Sequence, residues 1–177
     1  MRNIVVFAGS NSRSSINKQL ATYASTLLTD AEITILDLND FKLPMYGIDK
    51  EKTDGIPENA HKFLEHIKNA DGLIISLAEH NGAYTTAFKN LFDWMSRIES
   101  KTFYDKPMLL MAASPGARGG QSVLQIAMSR FPYHAANITG KFSLPSFGDN
   151  FDNGKISNQE LNEQLLEEIQ QFQDALS

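Results

Sequence analysis

The sequence predicts an α/β fold, with an open, doubly wound parallel sheet and helices on both faces. Two observations carry this expectation. The short apolar runs are continuous rather than alternating, as in strands covered on both sides. Amphipathic helical patterns lie between them, and this alternation is what right-handed crossovers turn into a parallel sheet. The chain has 177 residues, the size of one domain, and residues 1–177 are expected to form a single unit.

Three buried strands are read from Ile4-Val5-Val6-Phe7-Ala8, Leu73-Ile74-Ile75-Ser76-Leu77 and Met108-Leu109-Leu110-Met111-Ala112-Ala113. Glu32-Ile33-Thr34-Ile35-Leu36 alternates in part, as an exposed edge strand would, and a fifth strand is placed around Ile138 to Leu144. Helical stripes are marked by Ile16, Leu20, Tyr23 and Leu27, then by Ala60, Phe63, Leu64 and Ile67. A third runs through Ala87, Phe88, Leu91, Met95 and Ile98, and a fourth through Val123, Leu124, Ala127, Met128 and Phe131. The last, Leu161, Leu165, Ile169 and Phe172, follows Ser157-Asn158-Gln159-Glu160, a capping-box pattern. The stretches Pro44 to Pro57 and Pro145 to Gly154 read as long surface loops.

Composition narrows the chemistry. There is no cysteine, which removes disulfides, thiolate nucleophiles and Cys-based metal or iron–sulfur centres. His61 and His66 are five apart on a helix and His134 stands alone, so no metal site is expected. A net charge of -5 lacks the basic footprint of a nucleic-acid binder. The opening stretch MRNIVVFAGS turns polar too soon for a signal peptide, and no apolar run approaches the ~20 residues that span a bilayer. A cytoplasmic protein with no membrane partner is the expectation.

In open α/β sheets, ligands bind beyond the carboxyl ends of the strands, where the winding direction switches. Three loops rich in small and polar residues leave strand ends here: Gly9 to Asn17, Ala78 to Thr86, and Ser114 to Gly120. The first joins a buried strand to a helix, whose N-terminus offers unpaired N–H donors and the positive end of the dipole to a phosphate. Ser10, Ser12, Ser15 and Asn17 add side-chain donors and Arg13 a permanent charge. Helix capping by Ser14 or Ser15 within a polar turn is the competing reading. The loop is neither G-x-G-x-x-G nor G-x-x-x-x-G-K-[ST], and no G-x-S-x-G elbow occurs, which removes standard dinucleotide, triphosphatase and serine-hydrolase readings. Gly116, Gly119 and Gly120 suit close backbone approach to a ligand, or else a plain turn before a helix.

These residues, in this order, resemble the NAD(P)H-dependent FMN reductase family, which includes quinone, azo-dye and chromate reductases on a flavodoxin-like fold. The first loop resembles the family's G-S-x-R-x-x-S-x-N, and Leu43-Pro44-Met45-Tyr46 its L-P-x-Y. Ala78-Glu79-His80-Asn81-Gly82-Ala83, then Phe88-Lys89-Asn90-Leu91-Phe92-Asp93-Trp94, look like P-E-Y-N-G-S and L-K-N-x-x-D-W. Lys106-Pro107 and Ser114-Pro115-Gly116-Ala117-Arg118-Gly119-Gly120 look like K-P and S-P-G-x-x-G-G. The departures are Ser12 at the family arginine, with Arg13 one place later, and Ala78 and His80 at its Pro and Tyr.

The resemblance implies a flavodoxin-like five-stranded sheet holding FMN, with NAD(P)H as reductant and a small-molecule quinone, azo compound or similar acceptor. The cofactor residues it implies are Ser10, Ser12, Arg13, Ser15, Ile16 and Asn17 at the phosphate; Ala78, Glu79, His80, Asn81 and Gly82 beside the ring; and Ser114, Pro115, Gly116, Gly119 and Gly120. It implies a homodimer or homotetramer, with the helix carrying Asp93 and Trp94 at the interface; the residues themselves favour a structural role for that pair. No side chain is expected to act as catalyst, since the flavin carries the chemistry and protein supplies position and electrostatics. His80 is read as a solvated loop residue rather than an acid or base. A flavodoxin-type electron carrier and a flavin-binding regulatory module are the alternatives; the first is opposed by the lack of a T/S-G-x-T-G-x-T loop and of a strongly acidic surface.

Overall fold

The computed structural model describes residues 1–176. Its strands are β1 (Arg2–Gly9), β2 (Ala31–Leu36), β3 (Gly72–Leu77), β4 (Glu79–His80), β5 (Ala83–Tyr84), β6 (Pro107–Ala113), β7 (Asn137–Leu144), β8 (Phe151–Asp152) and β9 (Lys155–Ile156). Its α-helices are α1 (Ile16–Thr26), α2 (Ile48–Asp54), α3 (Glu58–Asn69), α4 (Thr86–Ile98), α5 (Gln121–Arg130), α6 (Phe147–Asn150) and α7 (Gln159–Ala175). Five strands form one parallel sheet in the order β2-β1-β3-β6-β7. This is the flavodoxin-like order, and it places the winding switch between β1 and β3.

The continuous apolar runs are explained by two cores. Val5, Phe7, Leu73, Ile75, Met108 and Leu110 face α3, α4 and α5. Their neighbours Ile4, Val6, Ile74, Leu109 and Met111 face α1 and α7. Every residue of β3 is buried, whereas β2 is mostly half-exposed, as befits an edge.

The structure alters four expectations. The stretch from Pro44 to Pro57 contains α2, and that from Pro145 to Gly154 contains α6 and the start of the β8–β9 hairpin. The Asn153-Gly154 turn, with φ of 48° and 78°, is of the kind that closes two-residue hairpins. The cap of α7 is Asn158 rather than Ser157; its side chain accepts from the Leu161 N–H. On α1 the fully buried face is Asn17, Leu20, Ala21 and Ala24, while Ile16, Tyr23 and Leu27 are only partly covered.

Asp93 and Trp94 have a structural role. Trp94 is fully buried, donates from Nε1 to the Pro44 carbonyl at 2.8 Å, and meets the Tyr46 ring edge-on. Asn90 fastens the same segment by donating to the Pro44 carbonyl and accepting from the Tyr46 N–H. Asp93 pairs with Lys89 on the surface of α4. The aromatic face of this helix is therefore covered within the chain, and the exposed apolar groups beside it are Met45 and Ile48.

Candidate functional site

The register sets the loops side by side. Gly9 pairs with Leu77, and Leu77 with Ala112, so β1, β3 and β6 end level and their loops leave one edge of the sheet together. Thr85 draws the second loop onto the first. Its hydroxyl donates to the Gly9 carbonyl at 2.9 Å and accepts from the Phe88 N–H, capping α4.

The first loop offers donors to an anion. The backbone N–H groups of Ser14, Ser15, Ile16 and Asn17 have no hydrogen-bond acceptor among the described residues. Ser15 caps α1 by accepting the Lys18 N–H at 3.1 Å, which leaves its own hydroxyl proton free to donate outward. The capping reading of this serine therefore holds, and the same conformation leaves its hydroxyl proton available to a ligand. The α1 and α4 helices, which start at this edge, carry no acidic residue in their first turns, whereas α2, α3 and α7 each do. A carboxylate there would compete with a bound phosphate for the dipole. These donors fit the terminal phosphate of FMN.

The loop is held in shape from its far side. Ser10 Oγ accepts the Ser12 N–H, and the Asn11 carbonyl accepts from Asn39 Nδ2. Asp37 is bridged to Lys18 at 2.5 Å and accepts two bonds from Asn39. Partial burial pushes the Asp37 carboxyl upward, but the bonds from Lys18 and Asn39 outweigh it and hold the group below the usual carboxylate range. Ser12 and Arg13 are exposed. Arg13 borders a groove of about 380 Å³ between α1 and the β8–β9 hairpin, with Lys18, Tyr23 and Phe151.

Asn17 departs from its expected place. Its carboxamide is buried and bonded to Ser76 and Ala113 inside the fold, not turned outward with the serines. Its backbone N–H remains with the cradle.

The second loop is a tight hairpin, β4–β5, turned by Asn81 and Gly82 at φ of 52° and 74°. Asn-Gly between short extended pieces is a hairpin signal in the sequence itself. His80 and Asn81 are exposed at its tip, and Ala78 and Gly82 are half-buried. Glu79 turns away from its expected role. Its carboxylate accepts the Val123 N–H at 2.9 Å and caps α5, whose own N-cap, Gly120, has no side chain to do so.

The third loop also divides. Pro115 and Gly116 are exposed, and a side chain at Gly116 would meet nothing within 4 Å. Gly119 and Gly120 are buried at φ of 58° and 72°, and their lack of Cβ is required by the protein. A Cβ on Gly119 would lie 2.3 Å from Ser143 Oγ, and one on Gly120 2.9 Å from the Ala112 Cβ. The missing Cβ of this pair serves turn and packing, whereas Gly116 faces open space. Ser114 Oγ donates to the Gly116 carbonyl and steadies that turn.

Residues 2–149 match the sequence family described as NADPH-dependent FMN reductase. The chain belongs to this family. A quinone reductase of Escherichia coli (strain K12) is 29% identical over 136 residues, covering 76% of this chain and 68% of the relative. A 2-hydroxy-1,4-benzoquinone reductase of Burkholderia sp. is 36% identical over 118 residues, 66% of this chain and 62% of the relative. Among solved structures, a flavoenzyme NAD(P)H:(acceptor) oxidoreductase of Paracoccus denitrificans superposes with a TM-score of 0.79 at 21% identity, covering 99% of this chain and 97% of that one. As an FMN reductase, this chain is an oxidoreductase that uses FMN and takes NAD(P)H as reductant. Among the described residues there is no helix long and apolar enough to cross a membrane and no cluster of His, Cys, Asp or Glu fit to hold a metal ion.

Proposed function

We propose that this reductase passes electrons from NAD(P)H, through FMN held across its three strand-end loops, to small quinones, azo compounds or similar acceptors. The carrying observation is the run of unpaired N–H groups from Ser14 to Asn17 at the acid-free start of α1. The names of the quinone-reducing relatives support the acceptor class.

When bound, FMN would supply the two-electron redox chemistry between nicotinamide and acceptor. The chain's part is to hold it. Ser10, Ser12, Arg13, Ser15 and Ile16 would take the phosphate, with the Asn17 backbone. Ala78, His80, Asn81 and Gly82 would border the ring, as would Ser114, Pro115 and Gly116. The Gly116 turn would offer backbone N–H groups to the negative charge that grows on reduction. The protein works as a homodimer or homotetramer in the cytoplasm; Met45, 65% exposed, and Ile48 give it an apolar surface for a second copy.

Heat-released cofactor, identified by chromatography, should be FMN. Anaerobic NADPH should bleach the yellow protein, and a quinone should restore the colour. Release of FAD, or flavin reduced but not reoxidised by any quinone, would overturn the reading.

A further inference from the structure

Asn17 lies in the first turn of α1 with 1% of its surface exposed. Its Oδ1 accepts from the Ser76 hydroxyl at 2.7 Å and from the Ala113 N–H at 2.8 Å. Its Nδ2 donates to the Ala113 carbonyl at 3.2 Å. Ser76 stands on β3 just ahead of Ala78, and Ala113 ends β6 just ahead of Ser114. One carboxamide thus fastens the helix behind the phosphate cradle to the roots of both other loops.

The chemistry of the position demands an amide. Aspartate keeps the two acceptor contacts but has no proton for the Ala113 carbonyl. An apolar residue would leave a hydroxyl, an N–H and a carbonyl unpaired in the interior, each a costly loss. A phosphate ligand would have no such need of a donor and a doubly used acceptor, all turned inward.

We propose that Asn17 is a positioning residue for FMN, one that fixes the spacing between the phosphate cradle and the ring-flanking loops. A ligand gripped at two ends gains when the two grips are held at the right separation, because the second engages at high effective concentration and no ordering is left to do. Riboflavin lacks the phosphate, uses only the ring end, and is indifferent to that spacing. The inference rests on FMN spanning these loops.

The test is the ratio of FMN to riboflavin affinity, measured by flavin fluorescence quenching on full-length apoprotein prepared from the holoenzyme. The variants are Ser76→Ala, Asn17→Ala and the double variant. Ser76 is fully buried and cannot reach a ligand, and its truncation removes a single hydroxyl, so this variant keeps the fold. Ser76→Ala should weaken FMN on the order of fivefold, in line with one lost hydrogen bond, and change riboflavin by less than about twofold. Asn17→Ala should lower the ratio further, and adding Ser76→Ala to it should change nothing more, because both act through one contact. If Ser76→Ala leaves the ratio unchanged while Asn17→Ala lowers it, Asn17 touches the phosphate itself and the proposal fails. If both flavins weaken equally, Asn17 supports only the fold and the proposal fails. Should Asn17→Ala not fold, Ser76→Ala alone decides by its ratio. A wild-type protein that binds neither flavin would sink the functional reading, an outcome told apart by needing no variant.

Discussion

The Glu79 carboxylate reaches from the hairpin after β3 to the first turn of α5 and accepts the Val123 N–H at 2.9 Å. It is an N-cap supplied from another element, and it ties the second loop to the helix that follows the third. Glu79→Ala should lower stability by about 1–2 kcal/mol, the range of a lost cap with a charge at the dipole. Glu79→Gln keeps an acceptor and should recover more than half of that. Urea denaturation of the two variants measures it. A Glu79→Ala protein as stable as wild type would show that the contact contributes nothing.

Ser15 joins folding to binding. Its Oγ accepts the Lys18 N–H, and its proton is free for a phosphate. Ser15→Ala should cost about 1 kcal/mol of stability as a lost cap. It should also weaken FMN several-fold more than riboflavin, since a hydrogen bond to a charged group contributes about 1.5–3 kcal/mol. Equal weakening of both flavins would place the phosphate elsewhere.

Gly116 and Gly119 separate ligand from packing within one loop. A Cβ at Gly119 meets Ser143 Oγ at 2.3 Å and the Pro145 nitrogen at 2.9 Å, from a φ of 58°. Gly119→Ala should therefore destabilise by about 2–4 kcal/mol, from overpacking and left-handed strain together. Gly116→Ala meets open space and should leave stability within about 0.5 kcal/mol. If Gly116 lies against the flavin, the same methyl should weaken FMN binding. Thermal melts and flavin titrations of both variants test the division.

Tyr84 buries its hydroxyl with no hydrogen-bond partner among the described residues, packed against Phe88 and Phe131. Burial pushes its ionisation up to about 12, with Arg130 pulling weakly the other way. An acid whose folded pKa is raised gives its full stabilisation below the unfolded value near 10 and loses it as pH climbs toward the folded value. Wild-type stability should fall between pH about 10 and 12, and Tyr84→Phe should flatten that fall. At neutral pH the substitution should be neutral or slightly stabilising, since it removes an unpaired polar atom. Denaturation of both proteins at pH 7, 10 and 11 checks the sign.

Much of this molecule is legible in its sequence because the informative signals are local. Uninterrupted apolar runs mark β1, β3 and β6, and the loops after them are read by position alone. The Asn-Gly pairs at 81–82 and 153–154 are also local, yet the hairpins they close lay inside stretches read as loops, because two-residue strands show no periodicity. Asn17 and Glu79 mislead for another reason. Both stand where a ligand residue would, but their partners lie 59 and 96 residues away for Asn17 and 44 away for Glu79. A polar residue beside a site looks the same in one dimension whether it faces the ligand or the fold. The glycine pair at 119–120 is ambiguous in the same way until Ser143 and Ala112 come into contact with it.

His80 stands exposed at the tip of the β4–β5 hairpin, with no hydrogen-bond partner among the described residues to orient its ring. A general acid or base must come within reach of the proton it moves, and no described residue orients His80 for that task. Under the proposed function, His80 would instead belong to the entrance that reductant and acceptor pass. Hydride transfer to the flavin needs no proton donor at that moment, and water can protonate the product. His80→Tyr should then keep flavin reduction by NAD(P)H within about tenfold of wild type, against the 10²–10⁴-fold loss expected on removing a true acid–base group. Preference among quinone and azo acceptors should shift more than the reductive step, because the substituted ring changes the shape of the entrance. Stopped-flow reduction of both proteins between pH about 5.5 and 8.5 separates the cases, the histidine range being where a proton-transfer role would surface. A hundredfold slower His80→Tyr protein, with a neutral-pH inflection lost from its profile, would show that His80 moves the proton after all.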